Sequence, residues 1–234
     1  AGRGLRGLFL SECPDPMQNP PPRVVFFVDG FNLYHSISEA ARLLPDRQMK
    51  WLDLPNLCSS YLHQIGNGAV LSGIHYFTAF ADHLHDRNPG KPQRHRAYAR
   101  ALTAKKVTAH ISHFRRRRVW SHELDGWVAA YEEKETDVAI ACQVLTLAME
   151  DQLEVAVLIT GDSDFAPVYR AFSKQFPEKR FIFAFPFARA SKELKQLSRD
   201  SFTISKEAYA KCQLPDKVRL PSGKYVRIPE EWKT

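Results

Sequence analysis

Long apolar runs are missing from this sequence of 234 residues. A membrane helix needs about 20 consecutive apolar residues, and no run here approaches that length. The apolar stretch near the N-terminus is also too short for a secretory signal, and acidic residues follow it. We therefore expect no membrane partner. We also expect the proline-rich residues 1–22 to lie outside the fold, as a disordered leader or an expression remnant.

Cysteine is scarce, and no two cysteines form a CxxC pair. The four positions are Cys13, Cys58, Cys142 and Cys212. Such wide spacing argues against a structural zinc knot and against a disulfide framework, so a reducing cytoplasm is the expected compartment. A GxxxxGK[ST] loop is missing too, which argues against a nucleotide switch of the P-loop type.

Apolar residues and positive charge are abundant. Hydrophobic residues make up 44% and charged residues 25% of the chain, which is typical of a globular domain with a sizeable core. The 33 basic and 26 acidic side chains give a formal net charge of +7. A basic chain attracts polyanions, of which nucleic acid is the commonest, but many basic domains bind none.

Apolar runs rich in β-branched and aromatic residues alternate with segments of helical periodicity. Residues 23–29 and 154–160 have the uninterrupted apolar pattern of strands buried on both faces of a parallel sheet. Further strands are predicted at 69–81, 107–114, 180–185 and 201–205. Helices are predicted at 33–44, 52–66, 96–106, 136–151, 164–176 and 191–198. The alternation predicts an α/β fold with a mainly parallel sheet and helices on both faces.

Two segments fall outside this alternation. Residues 115–135 are expected to form an extended excursion or hairpin that returns to the core. Residues 206–234 contain two short extended runs around Pro-Ser-Gly-Lys, which predict a short β-hairpin in a C-terminal extension. This hairpin could cover a sheet edge, pair with a second copy of the chain in a homodimer, or act as a lid.

Four aspartates are predicted to lie at one edge of the sheet. Asp29 ends the first strand, and Asp162 and Asp164 follow the strand that ends at residue 160. Asp137 begins the helix that leads into that strand. Because this helix runs antiparallel to the strand, Asp137 is expected at the strand's carboxyl end, where functional groups gather in parallel sheets. Asn32, in the first turn after Asp29, can face the same point.

Crowded carboxylates either have raised pKa values or share a cation. Oxygen ligands favour Mg²⁺ or Mn²⁺ over zinc, and such a cation suits phosphate chemistry. Each acid alone has a structural alternative as a turn or capping residue. Thr136 also suits the N-cap of its helix, and Asp164 can cap the helix that follows it. Gly161 lets the backbone turn at the sheet edge, directly before Asp162.

Three blocks of the sequence resemble the signature of the NYN domain, in the LabA-like branch of the PIN-like nuclease superfamily. The blocks are FFVDGFNLYHSI, EKETDVAIACQVL and VLITGDSDFAPVYRAF. The resemblance covers roughly residues 23–205. It implies a Rossmann-like three-layer α/β/α sandwich whose Mg²⁺ or Mn²⁺ site hydrolyses RNA endonucleolytically.

The resemblance also implies roles for individual residues. Asp29, Asp137 and Asp162 would hold one or two cations, and Asp164 would complete the shell or orient the attacking water. Asn32 would position a ligand or the scissile phosphate. Many relatives carry a further acid in the middle helix where this chain has glutamine at position 143, which leaves the main set intact. The family includes members of uncertain activity, so a non-catalytic RNA-binding or regulatory module is the alternative function.

Several residues are candidates for RNA contact, with single-stranded or structured RNA as the expected partner. They are Arg115, Arg116, Arg117, Arg118, Trp120, Lys134 and Ser191. Arginines contact phosphates, and an aromatic ring stacks on unpaired bases. Each also has a structural alternative: a charged edge strand for the arginines, pairing with a neighbouring glutamate for Lys134, and a helix N-cap for Ser191.

A haloacid-dehalogenase-type phosphatase also begins with a strand that ends in aspartate. That chemistry needs a second acid two residues after the first, and Phe31 stands there. A receiver domain would need a matching pair of acids in the first block, which this sequence lacks. Both alternatives are therefore disfavoured.

Overall fold

The computed structural model describes residues 20–82, 90–123 and 125–233, and all statements below concern these residues. The strands are β1 (Arg23–Asp29), β2 (Val70–Ala79), β3 (Thr108–Ser121), β4 (Gly126–Lys134), β5 (Val155–Ile159), β6 (Arg180–Phe185), β7 (Phe202–Thr203), β8 (Lys217–Arg219) and β9 (Tyr225–Arg227). The helices are α1 (Gly30–Leu43), α2 (Leu54–Ser60), α3 (Leu62–Ile65), α4 (Gly90–Ala104), α5 (Thr136–Met149), α6 (Ala166–Gln175), α7 (Lys192–Leu197) and α8 (Lys206–Lys211). Short 3₁₀ turns occur at Ser163–Phe165 and Glu230–Trp232.

Seven strands form the central sheet in the order β4-β3-β2-β1-β5-β6-β7. Neighbouring strands are parallel except β3 and β4, which are antiparallel. Alternate residues of β1 enter two different apolar clusters. Val24 and Phe26 pack with α1, α2 and α4, whereas Val25 and Phe27 pack with α5 and α6. The predicted α/β fold with helices on both faces is confirmed.

The β3–β4 hairpin confirms the expected excursion, and it is longer than the sequence indicated. The strand predicted to end at residue 114 continues through the arginine run to Ser121. It pairs with β4 without a register shift, and Trp120 lies opposite Trp127. The two indole rings form an edge-to-face contact with centroids 5.7 Å apart. Cross-strand pairing and this aromatic contact keep four consecutive arginines extended.

The C-terminal extension folds as the predicted hairpin, β8–β9. Val218 and Val226 are buried in the cluster that contains α4. The indole Nε1 of Trp51 donates a hydrogen bond to the Pro215 carbonyl at 3.0 Å. The hairpin packs against α4, and pairing with a second copy of the chain or action as a lid stays a prediction. The expectation for residues 1–22 falls mainly on residues 1–19, outside the described ranges.

Some predicted boundaries and caps are wrong. The basic helix begins at Gly90, earlier than its apolar pattern suggested, and the helix predicted at 52–66 breaks at Tyr61 into α2 and α3. Thr136 is not an N-cap but the buried first residue of α5, because Glu135 occupies the cap position in a left-handed conformation with φ of 78°. In the described ranges no helix combines the length and apolar character needed to cross a membrane.

His95 belongs to α4 and faces β2, where its Nε2 is 3.0 Å from the Thr78 hydroxyl. Burial, followed by the charges of Arg96 and Lys91, lowers the pKa of His95 to about 4 from an ordinary value of 6.5. Between these values the unfolded chain binds the proton and the folded chain does not. The free energy of unfolding therefore falls as the pH falls from 6.5 towards 4.

We predict that His95→Gln makes the loss of stability on acidification shallower. The His95 contribution between these pH values is on the order of 2 kcal/mol. Chemical denaturation across this pH range measures the slope. His63→Gln, which replaces an exposed histidine of α3, is the control and should keep the wild-type slope. A wild-type slope in His95→Gln would contradict the assignment of a neutral, buried imidazole.

Candidate functional site at the sheet edge

Asp29 is the last residue of the central strand β1, and it is buried with 6% of its surface exposed. Its Oδ1 accepts hydrogen bonds from the backbone N–H groups of Phe31 and Asn32, at 3.1 and 3.0 Å. These bonds satisfy two of the donors left open at the start of α1, so Asp29 is both strand end and helix cap. The capping bonds fix the direction in which the carboxylate faces.

Thr160 connects Asp29 to the neighbouring strand. The fully buried Thr160 hydroxyl donates to Asp29 Oδ2 at 2.9 Å and accepts from the backbone N–H of Asp162 at 3.2 Å. Gly161 N–H donates to Asn32 Oδ1 at 3.0 Å. The carboxyl ends of β1 and β5 are thus joined by polar side chains. Sequence reasoning missed Thr160, although a threonine that closes an apolar strand directly before Gly-Asp is a usable signal.

Asp162 caps the 3₁₀ turn that follows β5. Its Oδ1 accepts from the backbone N–H of Asp164 at 3.0 Å. The prediction that Asp164 caps the following helix is wrong, because Phe165 occupies the N-cap position of α6 and makes no side-chain capping bond. Asp164 is exposed and its carboxylate is not used in capping. Capping by Asp162 releases Asp164 to face outward.

Asp137 lies in the first turn of α5, as the antiparallel course of that helix required. Partial burial, followed by the negative charges of Asp29, Asp162 and Asp164, raises the pKa of Asp137. Burial is also the main reason why the pKa of Asp29 is raised, with a further contribution from Asp162. The structure therefore brings the four aspartates near enough for their charges to act on one another.

A divalent cation would relieve this repulsion, and the donor set fits one held partly through water. In the described ranges no three histidine, cysteine or acidic side chains are arranged to bind one ion directly. Mg²⁺ usually keeps several waters and takes only one or two carboxylates together with substrate phosphates. All the donors are hard carboxylate oxygens, the ligands that Mg²⁺ and Mn²⁺ prefer. Asp29, with three hydrogen bonds accepted, has little capacity left for direct coordination.

Gly161 leaves the space that a neighbouring loop occupies. A Cβ at this position would lie 1.7 Å from the Arg189 carbonyl oxygen, closer than any real contact. The loop after β6 thus packs directly on the end of β5. The backbone of Arg189, whose side chain is exposed, therefore lies beside Gly161.

The candidate RNA-contacting residues are placed in three different ways. Arg115–Arg118 and Trp120 are exposed on the β3–β4 hairpin, beyond the sheet edge. Lys134 ends β4, three residues before Asp137. Ser191 is the N-cap of α7, because its hydroxyl oxygen accepts a hydrogen bond from Leu194 N–H at 3.3 Å. This is the structural role that the sequence analysis gave as the alternative to RNA contact. Substrate contact by any of them stays a prediction.

We predict that Gly161→Ala destabilises the fold and disturbs the acidic site. The added methyl must push the Arg189 backbone away, and such overpacking costs about 1–3 kcal/mol. Chemical denaturation measures the loss of unfolding free energy. Gly73→Ala is the matched control, because its Cβ would meet only side-chain atoms at 3.7 Å or more. Equal stability of the two variants would show that the loop after β6 does not pack as described.

The chain is similar to a known protein family and to a solved structure. A family model, the NYN domain, matches residues 23–206. A protein of unknown function from Vibrio parahaemolyticus has a similar crystal structure, with a TM-score of 0.53 at 15% identity over 81% of this chain and 96% of that one. At this identity the likeness shows the fold alone. No curated protein matches the sequence significantly. Because the family model spans most of its length, the chain belongs to the NYN domain family.

Proposed function

We propose that this protein is a metal-dependent endoribonuclease that hydrolyses RNA phosphodiester bonds at the edge formed by β1, β5 and α5. The observation that carries the proposal is the placement of Asp29, Asp137, Asp162 and Asp164 at one sheet edge, where burial and the neighbouring negative charges raise the pKa values of Asp29 and Asp137. NYN domains belong to the PIN-like nuclease superfamily, which supports a nuclease or RNA-related role. The net charge of +7 supports a polyanionic partner.

The four aspartates would hold Mg²⁺ or Mn²⁺, Asp29 mainly through water. When bound, such a cation activates water and stabilises charge on phosphate oxygens. Asp164 is exposed and suits the orientation of an attacking water. The Asn32 oxygen already accepts from Gly161 N–H, so its amide nitrogen is the group that can donate to a phosphate. Asn32 is therefore proposed as a phosphate-positioning residue and not as a metal ligand.

One observation favours the non-catalytic alternative. Both carboxylate oxygens of Asp29 already accept hydrogen bonds within the protein. An RNA-binding module that keeps this network only to join β1 to β5 would show the same bonds. The two functions differ in whether Asp162 and Asp164 are needed for cleavage, which mutation can decide.

We predict that the protein cleaves single-stranded or structured RNA only when Mn²⁺ or Mg²⁺ is present, and that Asp162→Asn abolishes the cleavage. Asparagine keeps an oxygen to cap the 3₁₀ turn but lacks the charge that the cation requires. End-labelled RNA on a denaturing gel measures the reaction. Internal cuts identify an endonuclease.

Asp46→Asn is the matched control for this experiment. Asp46 is exposed beyond the end of α1 that lies farthest from Asp29, so its loss should leave the rate unchanged. RNA binding without metal-dependent cleavage would support the non-catalytic module. Cleavage that survives in Asp162→Asn would contradict the proposed site.

We predict that replacing two hairpin arginines weakens RNA binding mainly at low salt. Arg116 and Arg118 lie on one face of β3, because alternate strand residues share a face. Each lost phosphate contact should reduce the slope of log affinity against log salt by about 0.7, so Arg116→Gln with Arg118→Gln should reduce it by about 1.4. Fluorescence anisotropy with labelled single-stranded RNA measures this slope.

The control replaces two exposed basic residues that lie at the other end of the fold. Arg42 and Lys174 lie in the last turns of α1 and α6, both of which start near the acidic edge. Arg42→Gln with Lys174→Gln removes the same charge and should leave the slope unchanged. Equal slopes for the two double variants would mean that only net charge matters and that the hairpin is not the RNA-binding surface.

A further inference from the structure

A cavity of about 440 Å³ opens beside the acidic edge. It lies between the first two turns of α1, the carboxyl end of β2 and one face of α4. Trp232, from the 3₁₀ turn near the C-terminus, closes one side. The volume lies within the range of about 300–1,000 Å³ that is typical of small-molecule sites. The proposed catalytic chemistry makes no use of this cavity.

Aromatic rings line much of the cavity, and several are fixed by their own contacts. Tyr98 donates its hydroxyl to the Leu52 carbonyl at 3.0 Å and packs edge-to-face on Tyr76. Trp232 packs on Tyr98 and on Trp51, with ring centroids 6.2 Å away in both cases. Tyr34 lines the entrance with 42% of its surface exposed. The cavity thus combines rigid aromatic walls with an accessible ring.

The charged residues that line the cavity in the described part of the chain are all basic or histidine. Lys50, Lys91 and Arg94 contribute positive charge, and no aspartate or glutamate is among the lining residues. Arg94 is held in place by an ion pair with Glu231 at 2.7 Å. His95 presents its ring there and bonds Thr78 on β2. Flat apolar rings, cations and a few polar groups together match a planar, anionic ligand.

The cavity is continuous with the proposed catalytic edge and with the hairpin. Phe31 lines it, and the backbone N–H of the same residue donates to Asp29. Phe114 of β3 also lines it and packs edge-to-face on Phe31, with centroids 5.9 Å apart. The next residues on the face of Phe114 are Arg116 and Arg118. A chain of phosphates and bases can therefore follow hairpin, cavity and acidic edge in sequence.

We propose that this cavity binds one unpaired nucleotide of a single-stranded RNA, with the base against Tyr34 and the inner aromatic rings and a phosphate at Lys91 and Lys50. The proposal rests on the proposed ribonuclease function for the identity of its ligand. Base stacking on aromatic side chains is the usual means by which unpaired nucleic acid is held. Trp232 lies beyond residues 23–206, the NYN domain match, so part of the wall is added by the C-terminal extension.

The test measures uridine 5′-monophosphate binding by calorimetry, in metal-free buffer and with the Asp162→Asn chain, so that cleavage does not enter. We expect saturable binding that Tyr34→Ala weakens at least about fivefold through lost stacking. Lys91→Gln should weaken it about tenfold through the lost charged hydrogen bond. A uridine hexamer should displace the mononucleotide. Both substituted residues are exposed, so the fold should survive.

Two control variants and one control ligand accompany the test. Tyr225→Ala and Lys174→Gln remove an exposed ring and an exposed lysine outside the cavity, and both should bind like the parent. Inorganic phosphate should bind at least about tenfold more weakly than the nucleotide, because it has no base to stack. Equal binding of phosphate and nucleotide would overturn the proposal in favour of a plain anion site.

The remaining outcomes separate this proposal from the proposed activity. Failure of the uridine hexamer to displace the mononucleotide would show a free-nucleotide site and overturn the proposal, as would no binding at millimolar concentration. If the wild-type chain cleaves no RNA but nucleotide binding depends on Tyr34, the pocket stands and the catalytic proposal fails. If RNA is cleaved but no nucleotide binds, the catalytic proposal stands and the pocket fails.

Discussion

The hydrogen bond from the Thr160 hydroxyl to Asp29 is the constraint on which the acidic edge depends. It joins the ends of β1 and β5, two central strands whose apolar residues fill both layers of the core. A buried carboxylate is costly unless hydrogen bonds satisfy it. Asp29 accepts three, and these bonds set its orientation, the start of α1 and the path of the chain into Asp162.

This network divides the acids into two kinds. Carboxylate oxygens of Asp29 and Asp162 accept hydrogen bonds from backbone N–H groups, which fixes the local path of the chain. Asp137 and Asp164 lie in first turns of a helix and of a 3₁₀ turn and remain accessible to solvent. A cation held at this edge would meet the second pair with the least rearrangement. Asp29 would then act chiefly by fixing position, whereas Asp162 would hold the cation through the oxygen that does not cap the 3₁₀ turn.

The loops that bound the edge contain unusual backbone conformations. Glu135 directly precedes α5 and has φ of 78°. Ala188 directly precedes Arg189 in the loop that packs on Gly161, and it has φ of 58°. Positive φ in residues other than glycine is uncommon and costs on the order of 1–3 kcal/mol when strained. Surrounding contacts must therefore hold these loops in place. Glu135 precedes the turn of α5 that carries Asp137, and Ala188 lies in the loop that packs on Gly161. Rigid loops at these two places would hold the acidic residues in a fixed arrangement.

The order of strands and helices could be predicted because each apolar run is local and has a clear period. The same reasoning placed Asp137 beside Asp162, since a helix that leads into a parallel strand must begin at its carboxyl end. Local capping was less predictable: Thr136 and Asp164 have the right chemistry for caps, but Glu135 occupies the N-cap position of α5 and Phe165 that of α6. The packing of loops against distant segments could not be predicted. Gly161 is needed because Arg189 crosses it, and that approach depends on how the loop after β6 packs.

The aromatic cavity is the clearest example of a feature that the sequence alone does not predict. Its walls come from α1, β2, β3, α4 and the C-terminal extension, and each contributes rings that in sequence look like ordinary core residues. Only the fold shows that Tyr98 and Trp232 face a space rather than fill one. This cavity and the acidic edge meet at Phe31, whose N–H bonds Asp29 and whose ring lines the cavity. Nucleotide recognition and catalysis would therefore both depend on the position of Phe31. The acidic edge is built by residues of the NYN domain match, whereas the cavity is also lined by Trp232. If the proposed pocket holds a nucleotide, changes in the extension would alter which nucleotide fits without altering the acidic residues.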